Sequence, residues 1–542
     1  MKRFSSLISL TLVLLLGTTA FAQSQSPLVY HAYDFTGKTN IAGFGVWEFR
    51  SLKDDLFALA ERSPQIARVV SLGHSHEGRQ IWAIKISDDV QTEDLTEPEA
   101  LFIGAQHARE WISVEVPFLI AQYLVQNYES DERIKRLIDN LEIWIVPMVN
   151  PDGHEYTRSD PCPTAPQFYC RLWRKNRRDL GNNIFGVDPN RNWGYQWDSR
   201  FGGSRNPQSF TYRGPEPFSE PETQAIRNLV TDPRRRFKAF IDYHSYSQIV
   251  GAPWAYDLLQ PVPLSEDMRF SPPSDALAYT RIVQTMAQLI KSVHGAEYDA
   301  CQISLNCPYP AGGVSGDWVY SVTGGMALLV ELRPRTSEPG FVLPPEQILP
   351  TFEENLPAAL FLLEQALVEL VIRDSSEDNG SVPTAEGRLS PDIRVDAPPY
   401  GVVNATGSAF DERSHEEPMA GAVNRVYVTV HHRGLTDVEG AVVELYWANT
   451  LESGWTWPNS AWNPVDNDDD PANGYAFRHF VSIRAGESVT VSFSWLPPSE
   501  LPHGALLARV RHLQDPVRLL QSSSDFDLLD NNIAARRVQV MR

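Results

Sequence analysis

The chain has 542 residues, 42% hydrophobic and 21% charged. This is ordinary globular usage, which excludes wholesale disorder and a collagen-like or coiled-coil fibre and leaves length for about two to four domains. Its 47 Lys and Arg against 68 Asp and Glu give a formal charge of −21, which repels a phosphate backbone, so no nucleic-acid partner is expected.

Lys2 and Arg3 precede the apolar run Ile8–Leu16, and a small-residue stretch ends at Ala22, so residues 1–22 read as a secretory signal peptide. The run is too short to span a bilayer and no other run of about 20 apolar residues follows. A secreted protein, extracellular or periplasmic, without a membrane span is therefore expected. Export makes Cys162 with Cys170 and Cys301 with Cys307 candidates for two local disulfides. Metal thiolates are the rival reading, although neither pair has tight C-x-x-C spacing.

Residues 23–372 alternate short apolar runs with longer amphipathic stretches, the pattern of an α/β domain on a mixed central sheet flanked by helices. Ala100–Ala105, Glu142–Met148, Lys238–Tyr243 and Met326–Glu331 read as strands buried on both faces. Helices are predicted over Trp111–Asn127, Asp275–His294 and Pro345–Leu370, and Ser219-Glu-Pro-Glu222 reads as a capping box opening another. Residues 373–394 lose apolar periodicity and read as a linker. From 395 to 542 the period becomes two: Val426, Val428 and Val430 alternate with polar neighbours, as do Val489, Val491, Phe493 and Trp495. That patterning predicts an all-β, immunoglobulin-like sandwich, with further strands over Gly440–Trp447, Tyr475–Ile483 and Gly504–Arg511.

Ionisable groups gather at the carboxyl ends of the predicted strands, where open α/β sheets place their crevices. Gln106-His107-Ala108-Arg109-Glu110 follows one strand, His244 follows a second, and Glu331 closes a third. His107 and Glu110 are three apart, so both can reach one ion from a loop entering a helix, with His244 as a third ligand; two imidazoles and a carboxylate suit Zn²⁺. Such a site leaves a position for water, whose pKa falls from about 15.7 to roughly 7, and hydrolysis is the natural use. Glu331 fits the base that takes the water's proton and delivers it to a leaving amine. The basic run Arg171–Arg178 offers cations for a developing oxyanion, and Asn190-Arg191-Asn192 sets an amide beside a guanidinium that can grip a carboxylate. Each piece alone has a bland reading: a hydrogen-bonded core His, a solvated basic face, or Glu331 as ion-pair partner of Arg333. Their joint occurrence at strand ends points to a site.

These residues carry a family resemblance. Gly104-Ala-Gln-His-Ala-Arg-Glu-Trp111, Arg171-Leu-Trp-Arg-Lys175, Gly186-Val-Asp-Pro-Asn-Arg-Asn-Trp193, His244-Ser-Tyr-Ser-Gln248, Tyr309-Pro-Ala-Gly-Gly-Val-Ser-Gly-Asp-Trp318 and Leu329-Val-Glu-Leu-Arg333 occur in the order seen in zinc carboxypeptidases of the pancreatic A/B type, which the region from about 28 to 370 resembles. The resemblance implies one Zn²⁺ held by His107, Glu110 and His244, with Asp188 orienting His107, Glu331 as general base and acid, and Arg174 polarising the scissile carbonyl. Asn190 and Arg191 would hold a substrate's terminal carboxylate, Tyr309 would close over it, and Arg109 and Tyr246 would line subsites farther along the peptide. The expected activity is release of C-terminal amino acids from peptides or proteins.

Two departures bear on this expectation. The residue before Asp317-Trp318, which in the family helps select the side chain, is Gly316; it brings no charge and leaves volume, so large apolar or aromatic C-terminal residues are expected. The pattern also begins soon after Ala22, leaving no room for the inhibitory segment of roughly one hundred residues that pancreatic relatives carry. Activity without amino-terminal cleavage is therefore expected. Rival readings are a carboxypeptidase for cell-wall peptides, against which the Asn190-Arg191 clamp argues, and an inert peptidase-like domain in a binding or adhesion protein, against which the complete ligand set and Glu331 argue.

In the sandwich, His431-His432 reads as a metal site or a surface pair, Asp466-Asn-Asp-Asp-Asp470 as a calcium loop or an acidic turn, and Trp455, Trp457 and Trp462 as a carbohydrate platform or a plug. A ligand of this domain is left open. The sequons at Asn379 and Asn404 matter only in a glycosylating host.

Overall fold

The apolar runs singled out above form strands that are buried along nearly their whole length. The computed structural model describes residues 28–541 except 42, 93–96, 160–167, 257–272, 304–306, 308–309, 376–377, 379–388, 399, 401–414, 450–461, 466–477, 502 and 517–530. The chain divides into two compact units, Met1–Ala366 and Leu367–Arg542.

In the first unit, β1 (Tyr30–Ala32), β2 (Gly37–Ile41) and β3 (Gly45–Ser51) make a small sheet in the order β1-β3-β2. The main sheet has eight strands: β4 (Ala67–His74), β5 (Gln80–Ile86), β6 (Glu99–Gly104), β7 (Glu142–Val146), β8 (Phe237–Ser245), β9 (Ile249–Ala252), β10 (Asp299–Gln302) and β11 (Met326–Leu332). Their order is β10-β9-β11-β8-β6-β7-β5-β4. The central block β11-β8-β6-β7 is parallel, while β9 meets β11 and β5 meets both β7 and β4 antiparallel, so the sheet is mixed.

The described helices of this unit are α1 (Leu52–Arg62), α2 (Ile112–Asn127), α3 (Glu132–Ile138), α4 (Pro151–Thr157), α5 (Phe168–Arg171), α6 (Pro221–Val230), α7 (Pro273–His294), α8 (Ser315–Thr323) and α9 (Ile348–Gln365). Helix α2 is apolar nearly all round because it packs on β6, β7 and β8 and also against α9. Each Val, Leu or Ile it buries contributes about 1.5–3 kcal/mol. Parallel alignment of β6, β8 and β11 brings their carboxyl ends to one edge, with Gly104 beside Tyr243 and Glu331 in register with His244.

Several boundaries differ from the sequence expectation. The predicted helix Pro345–Leu370 is a 3₁₀ turn at Pro345–Gln347 followed by α9, which ends at Gln365. Leu370–Val371 is instead a strand (β12) of the second unit, so the units part at Ala366/Leu367 and not at 372. The capping box is not formed: α6 starts at Pro221, and the Ser219 hydroxyl donates to Glu220 Oε1 at 2.6 Å.

The second unit places two sheets around a shared core. β12, β13 (Ile393–Asp396), β14 (Asn424–His432) and β18 (Ser488–Trp495) form one sheet; β15 (Val438–Asn449), β16 (Asn463–Pro464), β17 (Arg478–Ile483), β19 (His503–Arg511) and β20 (Ile533–Gln539) form the other. Val426, Val428, Val430 and Phe493 from the first meet Val443, Leu445, Leu506 and Val510 from the second, the inward positions that period-two alternation marks. Ile393–Asp396 begins inside the stretch read as linker, because Val395 pairs with Val426 and enters this core.

The two histidines at the end of β14 point oppositely, as consecutive strand residues must. His431 lies at the rim, 2.7 Å from Ser488 Oγ and 3.1 Å from Asp392 Oδ2. His432 is buried on the Glu369 and Thr436 carbonyls, so the two rings do not face one point together and the pair is not wholly surface. Trp462 is buried. Trp455, Trp457, residues 466–470 and both sequons lie outside the described residues.

Candidate active site

The ligand loop is shaped by its backbone. At the end of β6, Gly104 packs so tightly on α2 that a Cβ there would sit 2.0 Å from the Ser113 carbonyl oxygen. Ala105 then takes φ +51°, a left-handed bend costing about 1–2 kcal/mol; its N–H is held by Ser113 Oγ at 3.1 Å. The turn closes with the Glu110 N–H donating to the His107 carbonyl at 3.2 Å, and the Ala108 N–H reaches the Arg174 carbonyl at 3.0 Å. Sequence-distant Arg174 is thereby laid beside the two predicted ligands.

His107, Glu110 and His244 converge. His107 Nδ1 lies 2.9 Å from Glu110 Oε1, His244 Nδ1 lies 3.0 Å from Glu110 Oε2, and the two Nδ1 atoms lie 3.0 Å apart. All three side chains are buried. These separations approach the edge of roughly 3.3 Å expected for a tetrahedral zinc with bonds of about 2.0–2.1 Å. The donor set and its spacing therefore fit a zinc ion. Behind the rings, His107 Nε2 faces Asp188 Oδ1 at 3.2 Å and His244 Nε2 faces Asp242 Oδ2 at 2.8 Å, the carboxylate support that fixes which nitrogen meets a metal.

Electrostatics follow from this packing. Burial pushes the Glu110 carboxyl up, but the His107 and His244 imidazoles outweigh it and hold the group far below the usual range. Burial likewise raises Asp188, and Arg174 and His107 overcome it. Burial and Arg174 lower His107. His244 loses by burial and gains more from Asp242 and Glu110, ending well above its ordinary value.

The remaining predicted residues separate by location. Arg174, Asn190, Arg191 and Glu331 line the same cavity as the imidazoles. Arg174 Nε donates to Asp188 Oδ2 at 2.9 Å. Asn190 Nδ2 lies 3.0 Å from His244 Nε2, and its Oδ1 accepts from the Ser315 N–H. Arg191 Nε donates to the Gly202 carbonyl. Arg109 and Tyr246 stand outside the cavity lining and meet through Phe341, the guanidinium 3.9 Å from the ring centroid and the tyrosine ring 4.8 Å from it. Tyr309 lies outside the described residues.

The basic run is not a solvated face. Arg171 stacks 3.6 Å over Trp111, Arg177 stacks 3.8 Å over Tyr156, Lys175 donates to the Pro207 carbonyl and Arg178 pairs with Glu220; only Arg174 of these reaches the cavity. Arg333 pairs with Glu354.

The cavity is apolar beyond the ligand cluster, lined by Gly251, Pro253, Ala255, Ile303, Val314, Ala327 and Leu329. Gly316 opens onto it with no atom within 4 Å of a virtual Cβ. Asp317 also borders it; both its oxygens accept from the Ala255 N–H, and burial pushes its carboxyl up to about 8. Cys301 and Cys307 are bridged. Cys170 is disulfide-bonded as well, and its expected partner Cys162 lies outside the described residues.

Asp242, Phe341 and the small residues Gly251 and Ala255 had not been singled out in the sequence. Only Asp242 left a signal, standing two residues before His244 and hence on the same strand face.

Residues 52–358 match the zinc carboxypeptidase (Peptidase_M14) family. The chain is 34% identical over 295 residues to a metallocarboxypeptidase A-like protein of Trichophyton verrucosum, covering 54% of this chain and 63% of that one, so it spans less than two thirds of that relative. It is 34% identical over 304 residues to carboxypeptidase B of Astacus astacus, 55% of this chain and 90% of that one. Among solved structures, carboxypeptidase A of Helicoverpa armigera aligns with a TM-score of 0.47 at 28% identity, over 56% of this chain and 69% of that one.

Proposed function

The chain belongs to the zinc carboxypeptidase family, and from that membership we propose that it is a secreted exopeptidase releasing C-terminal amino acids, preferentially large apolar or aromatic ones. The observation that carries the reading is the convergence of His107, Glu110 and His244 on one point, with Glu331, Arg174 and Arg191 lining the cavity beside it.

Bound zinc would supply Lewis acidity, lowering the pKa of an attacking water and polarising the carbonyl it attacks. The residues divide the remaining tasks. Glu331, at the end of β11 and in register with His244, takes the water's proton and returns it to the departing amine. Arg174, anchored by Asp188, turns N–H groups toward the carbonyl oxygen as charge develops there. Arg191 and Asn190 hold the terminal carboxylate. A fixed distance from that clamp to the ligand cluster positions only the last peptide bond, which makes the activity exopeptidic. Arg109, over the face of Phe341, and Tyr246, tilted edge-to-face against it, receive the preceding residues of the peptide.

The apolar cavity wall and the absence of a side chain at Gly316 favour an apolar terminal residue. Asp317 does not oppose this, since burial keeps it largely protonated near neutrality.

The test is hydrolysis of a blocked dipeptide ending in Phe. Activity is expected to vanish with a chelator and to return with Zn²⁺. Glu331→Gln should bind zinc normally yet lose roughly 10²–10⁴-fold in rate. Chelator-resistant turnover would overturn the reading.

A further inference from the structure

A second cluster of metal-ligating side chains lies in the first unit, formed by His76, Glu220 and Glu222. None of its residues takes part in the hydrolytic site. His76 sits in the turn between β4 and β5, Glu220 immediately precedes α6 and Glu222 lies in its first turn. One donor atom from each lies within 4.8 Å of the others.

The arrangement repeats the chemistry seen around His107. His76 Nε2 stands 2.8 Å from Glu220 Oε2, an imidazole–carboxylate approach matching the 2.9 Å between His107 and Glu110. The Asn176 amide donates to Glu220 Oε2 at 2.7 Å and to Glu222 Oε2 at 3.0 Å, so one neutral NH₂ group bridges two carboxylates. Glu220 Oε1 is occupied by Arg178 and Ser219.

Glu222 Oε1 differs. It is buried within a fully inaccessible side chain, and no described donor reaches it. A buried carboxylate oxygen without a hydrogen-bond partner is costly, and among the described residues none donates to this one. Burial, only partly opposed by His76, pushes this carboxyl up to about 7. His76, with about a quarter of its side chain exposed, gives the cluster its opening to solvent.

We propose that His76, Glu220 and Glu222 form a second site for a divalent first-row cation, Zn²⁺ or a close equivalent, distinct from the hydrolytic centre. One imidazole and two carboxylates are a nitrogen–oxygen set suited to such ions. A bound ion satisfies Glu222 Oε1, replaces the shared neutral amide as the bridge between the carboxylates, and ties the β4–β5 turn to the start of α6. The site is structural, and it does not depend on the proposed peptidase reading.

The full chain, stripped with a chelator and dialysed against excess Zn²⁺ before gel filtration, provides the test by elemental analysis. Glu222→Gln and His76→Ala should each bind one zinc fewer per chain than the unsubstituted protein. The unsubstituted protein should also show a zinc-dependent rise in Tm that both variants lose in part. His76→Ala alters a partly exposed turn and keeps the comparison available if Glu222→Gln folds poorly. Equal zinc content in the unsubstituted chain and in either folded variant would overturn the proposal.

Discussion

Asp242 and His244 stand two residues apart on β8, and the Asp242 carboxylate braces the His244 ring from behind at 2.8 Å. The same oxygen accepts from Gln106 Nε2 and Ser315 Oγ, each at 2.5 Å. The imidazole that faces His107 is therefore fixed by groups from three separate segments. Replacing Asp242 with Ala removes this support and leaves the donors of Gln106 and Ser315 without their acceptor. Zinc affinity should fall about 10–100-fold, measured by competition with a chromophoric chelator, while far-UV circular dichroism stays unchanged.

Gly316 opens on the apolar cavity with nothing within 4 Å of a virtual Cβ. It lies in the first turn of α8, where a carboxylate is compatible with the helix dipole. Gly316→Asp should thus fold with stability within about 0.5 kcal/mol of the parent. It should shift preference from C-terminal Phe toward Arg or Lys, moving the ratio of the two kcat/KM values by roughly ten- to a hundredfold, since one buried charge pair is worth about 1.4–2.8 kcal/mol here.

Asp317 makes a pH-dependent prediction in the unsubstituted protein. Its carboxyl is raised to about 8 by burial, so this part of the cavity wall gains negative charge as pH passes 8. The kcat/KM ratio of Lys-ended over Phe-ended substrate should rise between pH 7 and pH 9, by about tenfold if the new pair contributes about 1.4 kcal/mol. A flat ratio across that interval would place the group's titration elsewhere.

His31 is wedged between Glu115, 2.7 Å from its Nδ1, and Asp55, 3.1 Å from its Nε2. Burial lowers its pKa, but the two carboxylates outweigh that and raise it to about 9. Because the folded value lies above the ordinary 6.5, the stabilisation is complete below about pH 6.5 and is lost as pH rises through 9. His31→Gln should cost about 3–5 kcal/mol at pH 6, where it strips a cation from buried carboxylates, and much less at pH 10. Paired denaturant melts at the two pH values measure the difference.

Residues that announce chemistry by type were legible in the sequence where a strand delivered them: His107, Glu110, His244 and Glu331 stand at the ends of apolar runs, and the parallel register of β6, β8 and β11 brings those ends to one edge. The two-layer β unit was legible for a similar reason, because alternation along one strand already states which face is buried. Boundaries were less so. Leu370 and Val371 are as apolar as a helix end requires, and only pairing with His431 and His432 assigns them to a strand of the second unit.

The sequence by itself determined which side chains could bind a metal, move a proton or grip a carboxylate, since those capacities are properties of residue type and local spacing. Tertiary structure alone decided which of them stand together. It separated Arg174 from its basic neighbours, placed Asp242 behind His244, and turned the glutamates of an expected capping box into a cluster with His76, 144 positions away from Glu220. Distances between residues far apart in the chain are set by how strands pair and helices pack, and no local pattern encodes them.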